Sequence, residues 1–179
     1  MIVTISGKAG SGKSTVAKLL SEKLKLKHYS IGDLMRAMAS GKGISLIELN
    51  KLAEHDKSID LELDNRLKEL GKAKGNFVVD GRLTAFFIPN AQVRVFLDTD
   101  DKIRAERILK DKREHEKSKD LNEMVKKIQE REKSEKKRYQ QYYGVDYLDK
   151  KLYNLFIDTT ELNPNDVVEK IVKFVESKK

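Results

Sequence analysis

The sequence predicts an α/β protein, a five-stranded parallel sheet with helices on both faces. Three observations predict it. Short, nearly continuous apolar or β-branched runs recur at Ile2 to Ser6, Phe77 to Asp80, Val93 to Asp98 and Leu155 to Asp158, and Lys27 to Ser30 supplies a short fifth. Strands covered on both faces read this way. The stretches between them carry the 3.6-residue periodicity of helices, so right-handed crossovers lead from strand to strand. A glycine-rich turn joins the first run directly to the first helical pattern. At 179 residues the chain accommodates one well-buried domain with insertions.

Composition narrows the chemistry. The sequence has no cysteine, which removes disulfides, thiolate nucleophiles and zinc-thiolate sites and suits a reducing compartment. No apolar stretch approaches a membrane span, and no basic segment followed by a long hydrophobic one opens the chain, so a cytoplasmic protein is expected. The net charge of +8 is unevenly placed: Lys102 to Arg138 holds 15 Lys or Arg against 9 Asp or Glu. That zone suits an anionic small molecule as well as a polynucleotide.

Behind the first strand, Gly7-Lys8-Ala9-Gly10-Ser11-Gly12-Lys13-Ser14 fits G-x-x-x-x-G-K-[ST], with Thr15 opening the helix. The glycines let successive N–H groups point into one concavity at a helix N-terminus, where phosphate oxygens bind. Lys13 adds a cation over the β- and γ-phosphates, and the Ser14 hydroxyl suits Mg²⁺. A triphosphate site follows.

The next informative stretch is Tyr29-Ser30-Ile31-Gly32-Asp33-Leu34-Met35-Arg36. A serine and glycine at a strand end start a helix that carries an arginine one turn in, an arrangement suited to a second anion. An ordinary N-cap with a solvated arginine is the alternative. Beyond it the pattern stays helical to about residue 75. Ser45-Leu46-Ile47-Glu48 has the form of a capping box, with Leu49, Leu52 and Ala53 at helical spacing after it. The S-x-G-D-x-x-R pattern resembles the nucleoside monophosphate kinases. The resemblance implies a P-loop kinase fold in which residues 31–75 form the monophosphate-binding lobe, contacting the acceptor through Ser30, Gly32 and Arg36.

Phe77-Val78-Val79-Asp80-Gly81-Arg82 reads as a buried strand ending at the edge of the sheet where ligands collect in open α/β folds. Asp80 is placed to orient Mg²⁺ through water or to cap the next turn. Arg82 is placed to reach an acceptor or solvent. Asp80-Gly81-Arg82 resembles the cytidylate kinases, whose arginine here helps hold the cytidine nucleotide. Leu83 departs from the acid common at the following position in that family.

In Arg131-Glu132-Lys133-Ser134-Glu135-Lys136-Lys137-Arg138-Tyr139, seven helical residues turn through about 700°, so Arg131 and Arg138 share a stripe with Glu135 between them. Such a stripe suits a transition state with charge spread over transferring oxygens, and equally a salt-bridge ladder on a solvated helix. The resemblance to cytidylate kinases of the archaeal type extends through this stretch and covers nearly the whole chain. It implies that Lys13, Arg131 and Arg138 carry catalysis, the arginines bridging donor and acceptor phosphates, and that Glu135 meets the cytidine.

Ala105-Glu106-Arg107-Ile108 follows the Val93 to Asp98 strand and resembles the entry to the lid of these kinases, which places Arg107 beside the adenine of ATP. The lysine-rich patch from Asp111 to Lys119 is the candidate flap, in a lid over about 110–127. Asp120-Leu121-Asn122-Glu123 is a second capping-box pattern, and Asn163-Pro164 starts a last helix with Val167, Val168, Ile171, Val172 and Val175 on its buried face. The core then comprises about 1–30, 76–109 and 128–179. His28, His55 and His115 lack metal-ligand spacing and receive no role. An acceptor phosphate largely ionised at neutral pH needs no general base.

The resemblance implies transfer from MgATP to CMP or dCMP by a monomer. Another nucleoside monophosphate kinase or a small-metabolite kinase is the near alternative. A P-loop ATPase binding nucleic acid through the basic zone is the distant one, disfavoured because no aromatics are interleaved with the basic residues.

Overall fold

The five runs predicted as strands all form strands in the computed structural model, which describes residues 1–73, 75–111 and 118–178. They are β1 (Ile2–Gly7), β2 (Lys27–Ser30), β3 (Phe77–Asp80), β4 (Val93–Asp98) and β5 (Leu155–Asp158). All neighbours run parallel in the order β2-β3-β1-β4-β5. The crossover leaving β1 heads for one edge and that leaving β4 for the other, so the carboxyl ends of these central strands flank the crevice where α/β sheets bind ligands.

Helices α1 (Lys13–Leu24) and α8 (Pro164–Glu176) cover one face of the sheet. Val16, Ala17 and Leu20 of α1, and Val167, Val168, Ile171 and Val175 of α8, pack there against Val3, Ile5, Val78, Val95 and Leu97. Asn163 caps α8 by accepting from the Asp166 N–H, with Pro164 in the first turn, where its missing N–H costs nothing.

Helices α2 (Ile31–Gly41), α3 (Leu46–Ala53) and α4 (Lys57–Lys72) lie between β2 and β3. They close a small core of their own from Met35, Ala39, Leu46, Leu49, Ala53, Ile59 and Leu63. The predicted capping box at Ser45 forms in both directions, Ser45 accepting from the Glu48 N–H and Glu48 accepting from the Ser45 N–H. Leu67 and Leu70 of α4 continue into the second sheet face, joined by Leu83, Ala85 and Ile88 around the short α5 (Thr84–Phe87).

Helices α6 (Asp101–Lys110) and α7 (Leu121–Tyr143) pack together through Ala105, Ile108, Met124 and Ile128. The second capping pattern is only half realised. Asp120 accepts from the Glu123 N–H, but Glu123 reaches past it to the Lys119 N–H at 2.6 Å. Gly144 ends α7 at φ 63°, a left-handed position that glycine takes without a Cβ penalty. The predicted flap falls largely on residues 112–117, outside the described residues.

Candidate active site

The turn after β1 forms a nest at the N-terminus of α1. Gly10 has φ 74°, and a Cβ there would stand 2.6 Å from the Arg104 carbonyl oxygen, so the loop rests directly on the backbone of α6. Gly12 at φ 85° then leads into α1, whose first residue is Lys13. We expect Gly10→Ala to raise the KM for ATP about tenfold, because strain of this kind costs ~1–3 kcal/mol. Steady-state titration of ATP checks it, with an unchanged KM as the contrary result.

Lys13 Nζ donates to the Lys8 carbonyl at 2.7 Å, arching back over the loop. Burial pushes its ammonium well below the ordinary lysine value, and nearby Arg82 adds to the effect. Asp80 and Glu135 oppose it. A buried cation in this position favours anionic phosphate oxygens.

Asp80, at the end of β3 and 1% exposed, gathers three side chains. Ser14 Oγ donates to its Oδ2 at 2.8 Å, Ser30 Oγ donates to the same oxygen at 3.2 Å, and His28 Nε2 lies 2.7 Å from Oδ1. His28, given no role from the sequence, therefore orients Asp80. Two hard oxygen donors side by side at a phosphate loop fit Mg²⁺, which keeps waters and takes phosphate oxygens rather than an all-protein cage. Among the described residues no cluster of three or more acids or histidines offers such a cage.

Arg82, Glu135 and Arg131 form the second charged group. Arg82 Nε donates to Glu135 Oε2 at 2.7 Å and its Nη1 to the Gly7 carbonyl at 3.1 Å. Arg131 Nε donates to Glu135 Oε1 at 3.1 Å. Burial of Glu135 works against its charge, yet Arg82 and then Arg131 outweigh it and hold the carboxyl at about 2. Glu135 is thereby committed to two guanidiniums, which it anchors beside the phosphate loop. Arg36, one turn into α2, pairs with Asp33, and Ser30 caps that helix, the alternative weighed for it from the sequence.

A cleft of about 360 Å³ runs through all these groups. One end is walled by residues 9–16 of the phosphate loop together with Arg107, Thr159, Leu162, Pro164 and Val167. Arg107 Nη2 donates to the Thr159 carbonyl at 2.7 Å and Nη1 to the Thr159 hydroxyl at 3.1 Å. Thr159, directly after β5, went unremarked in the sequence. Its only signal was its place at the carboxyl edge of the sheet. The other end is walled by Ile31, Gly32, Met35 and Arg36 of α2, Leu63, Asp64 and Leu67 of α4, Asp80, Gly81, Arg82, Arg131, Glu135 and Tyr139.

Arg138 departs from the expectation. It is 1% exposed, does not line the cleft, and donates from Nε to Asp60 Oδ2 at 2.9 Å and from Nη1 to the Asn50 carbonyl at 3.1 Å. It shares the azimuth of Arg131, but seven residues advance about 10 Å along a helix. That carries it past the cleft to α3 and α4. Gly7, Lys8 and Ser30 are not among the residues that wall the cleft, and Lys8 pairs with Asp98 and Glu132. Arg104, missed from the sequence and fully buried, donates to the Ala9 carbonyl at 3.2 Å and to Glu132 at 3.2 Å, tying the loop to α6 and α7.

A parallel sheet with a phosphate loop after β1, and a cleft carrying cations at both ends, define the P-loop kinase class. Solved structures agree on the fold. Shikimate kinase from Bacteroides thetaiotaomicron superposes with a TM-score of 0.69 at 14% identity, covering 98% of each chain. An uncharacterized protein from Eubacterium ventriosum reaches 0.71 at 20% identity, covering 99% of each. Within that class the chain belongs to the cytidylate kinase-like family, whose profile matches residues 2–161. It is 39% identical to the cytidylate kinase of Archaeoglobus fulgidus over 179 residues, 100% of this chain and 97% of that protein. It is 40% identical to that of Pyrococcus horikoshii over 167 residues, 93% of this chain and 84% of that protein.

Proposed function

We propose that the protein transfers the γ-phosphoryl group of ATP to the phosphate of CMP or dCMP, giving ADP and the diphosphate. The observation that carries this reading is one continuous cleft with a phosphate loop at one end and Arg36, Arg82 and Arg131 toward the other, in a chain of the cytidylate kinase-like family.

ATP lies with its phosphates in the nest of residues 7–15 and its base between Arg107 and the Leu162 to Val167 wall. Arg36 takes the acceptor phosphate in a bidentate grip, the task for which a planar guanidinium is suited. Lys13 and Arg131 flank the phosphoryl group between donor and acceptor and stabilise the charge on its oxygens, the main contribution a protein makes to this reaction. Arg82 orients Arg131 through Glu135, and Arg138 braces α7 against α3 and α4. Ser14 and Asp80 would hold Mg²⁺, which when bound neutralises charge on the β- and γ-phosphates. Helices α2 to α4 serve as the acceptor lobe; the lid expected over about 110–127 includes residues 112–117, which lie outside the described residues. The enzyme acts as a monomer.

The basic zone does not favour a nucleic-acid reading. Arg104 and Arg138, two of its arginines, are fully buried in pairs with carboxylates.

Turnover measured with CMP, dCMP, UMP and AMP tests the proposal. A clear preference for CMP or dCMP is expected, and a preference for AMP or UMP contradicts it. Arg36→Ala is expected to raise the KM for the monophosphate tenfold or more, on the order of a lost charge-assisted pair, with the KM for ATP unchanged. An unaltered acceptor KM removes Arg36 from the site.

A further inference from the structure

We infer that Asp64, on α4, reads the base of the acceptor by accepting a hydrogen bond from the exocyclic amino group of cytosine. The inference rests on the proposed function and locates its specificity in a residue outside the recognisable motifs.

Four carboxylates line the cleft among the described residues, and one of them, Asp111, ends α6 and so belongs to neither α2 nor α4. Asp80 is held by Ser14, Ser30 and His28, and Glu135 by Arg82 and Arg131. Asp64 is 4% exposed, and among the described residues its one hydrogen-bond partner is the Tyr143 hydroxyl, which donates to Oδ2. Oδ1 remains available to accept from a ligand in the cleft. Apolar side chains wall this part of the cleft: Met35 from α2, and Leu63 beside Asp64 and Leu67 about one turn on along α4. With the acceptor phosphate at Arg36, the nucleoside extends away from the phosphate loop into this part of the cleft. There a flat base meets aliphatic side chains on its faces and a single carboxylate at its edge.

Cytosine presents an amino donor where uracil presents a carbonyl acceptor, and a carboxylate accepts from the former and repels the latter. The setting also makes the contact sensitive to pH. Burial pushes the Asp64 carboxyl up to about 7, and neighbouring Asp60 on the same helix adds to it, while Lys68 and Lys57 of α4 and Arg138 of α7 act in the opposite direction. Tyr143 of α7 donates to it, and Arg36 of α2 and Arg82 after β3 line the same cleft. Below neutrality the group gains a proton and becomes a donor that uracil also accepts. Discrimination is therefore fullest well above pH 7 and declines as the pH falls through 7.

The test is the ratio of kcat/KM for CMP to that for UMP, in the wild type, Asp64→Asn and Asp64→Glu. The acceptor phosphate ionises alike in both substrates, so its titration cancels in the ratio. Asp64→Asn, which presents a donor as well as an acceptor, is expected to lower the ratio about ten- to a hundredfold while the KM for ATP stays unchanged. Asp64→Glu is expected to retain part of the preference. The wild-type ratio is expected to fall between pH 8 and pH 6. A folded Asp64→Asn protein with the wild-type ratio overturns the inference and leaves the proposed function standing. Should that variant fail to fold, a wild-type ratio constant from pH 8 to pH 6 overturns it. A wild type that shows no preference for CMP at pH 8 overturns both readings together.

Discussion

Lys13→Ala is expected to lower kcat by about a hundred- to a thousandfold or more, the range seen when one preorganised group facing developing charge is removed. The size follows from position. Lys13 is the first residue of α1, is 8% exposed, and is held over the loop by the Lys8 carbonyl. No neighbour replaces it, because Arg82 and Arg131 are tethered to Glu135. Its desolvated ammonium gains most where phosphate oxygens carry the most charge, so the loss falls on kcat more than on the KM for ATP. A variant with near-normal kcat and a raised KM alone would place Lys13 in ground-state binding only.

Glu135→Gln is expected to damage stability and activity together. The carboxylate is 2% exposed and joins Arg82 to Arg131. Removing it leaves two largely buried guanidiniums without their anion, a change that costs about 3 kcal/mol and lowers Tm by about 6–12 °C in a chain of this size. The pH dependence has a definite sign. Arg82 and Arg131 hold the folded carboxyl at about 2 against an ordinary 4.5, so its contribution is complete above about pH 4.5 and is lost as the pH falls toward 2. The wild type should therefore lose stability through that window more steeply than the variant. Thermal unfolding of both proteins between pH 2 and pH 7 checks this, and parallel curves would return Glu135 to a merely packed role.

The phosphate loop at the donor end of the cleft was legible in the sequence because its residues are contiguous. Strand, glycine turn, lysine and helix follow one another from Ile2 to Leu24, and local geometry alone assembles them. The start of α2 was legible for the same reason, with Ser30 capping and Arg36 one turn on. Legibility failed where contacts cross the chain. Helical spacing put Arg131, Glu135 and Arg138 on one stripe, but it carries no information on what stands opposite each. Arg82, 53 residues away, claims Glu135, and Asp60, 78 residues away, claims Arg138. Asp64 was hidden by its surroundings: Ile59, Leu63, Leu67 and Leu70 make α4 read as an amphipathic helix with solvated acids, whereas Asp60 and Asp64 are both buried. The interior pairs of α7 with α3 and α4 drew those acids inward.

The central claim is that the phosphoryl group crosses from one half of the cleft to the other. The most direct measurement follows the label from [γ-³²P]ATP in the presence of CMP. Label appearing in CDP in step with ADP formation, with little in inorganic phosphate, is the predicted result. Release of label as inorganic phosphate at a rate indifferent to CMP would contradict it.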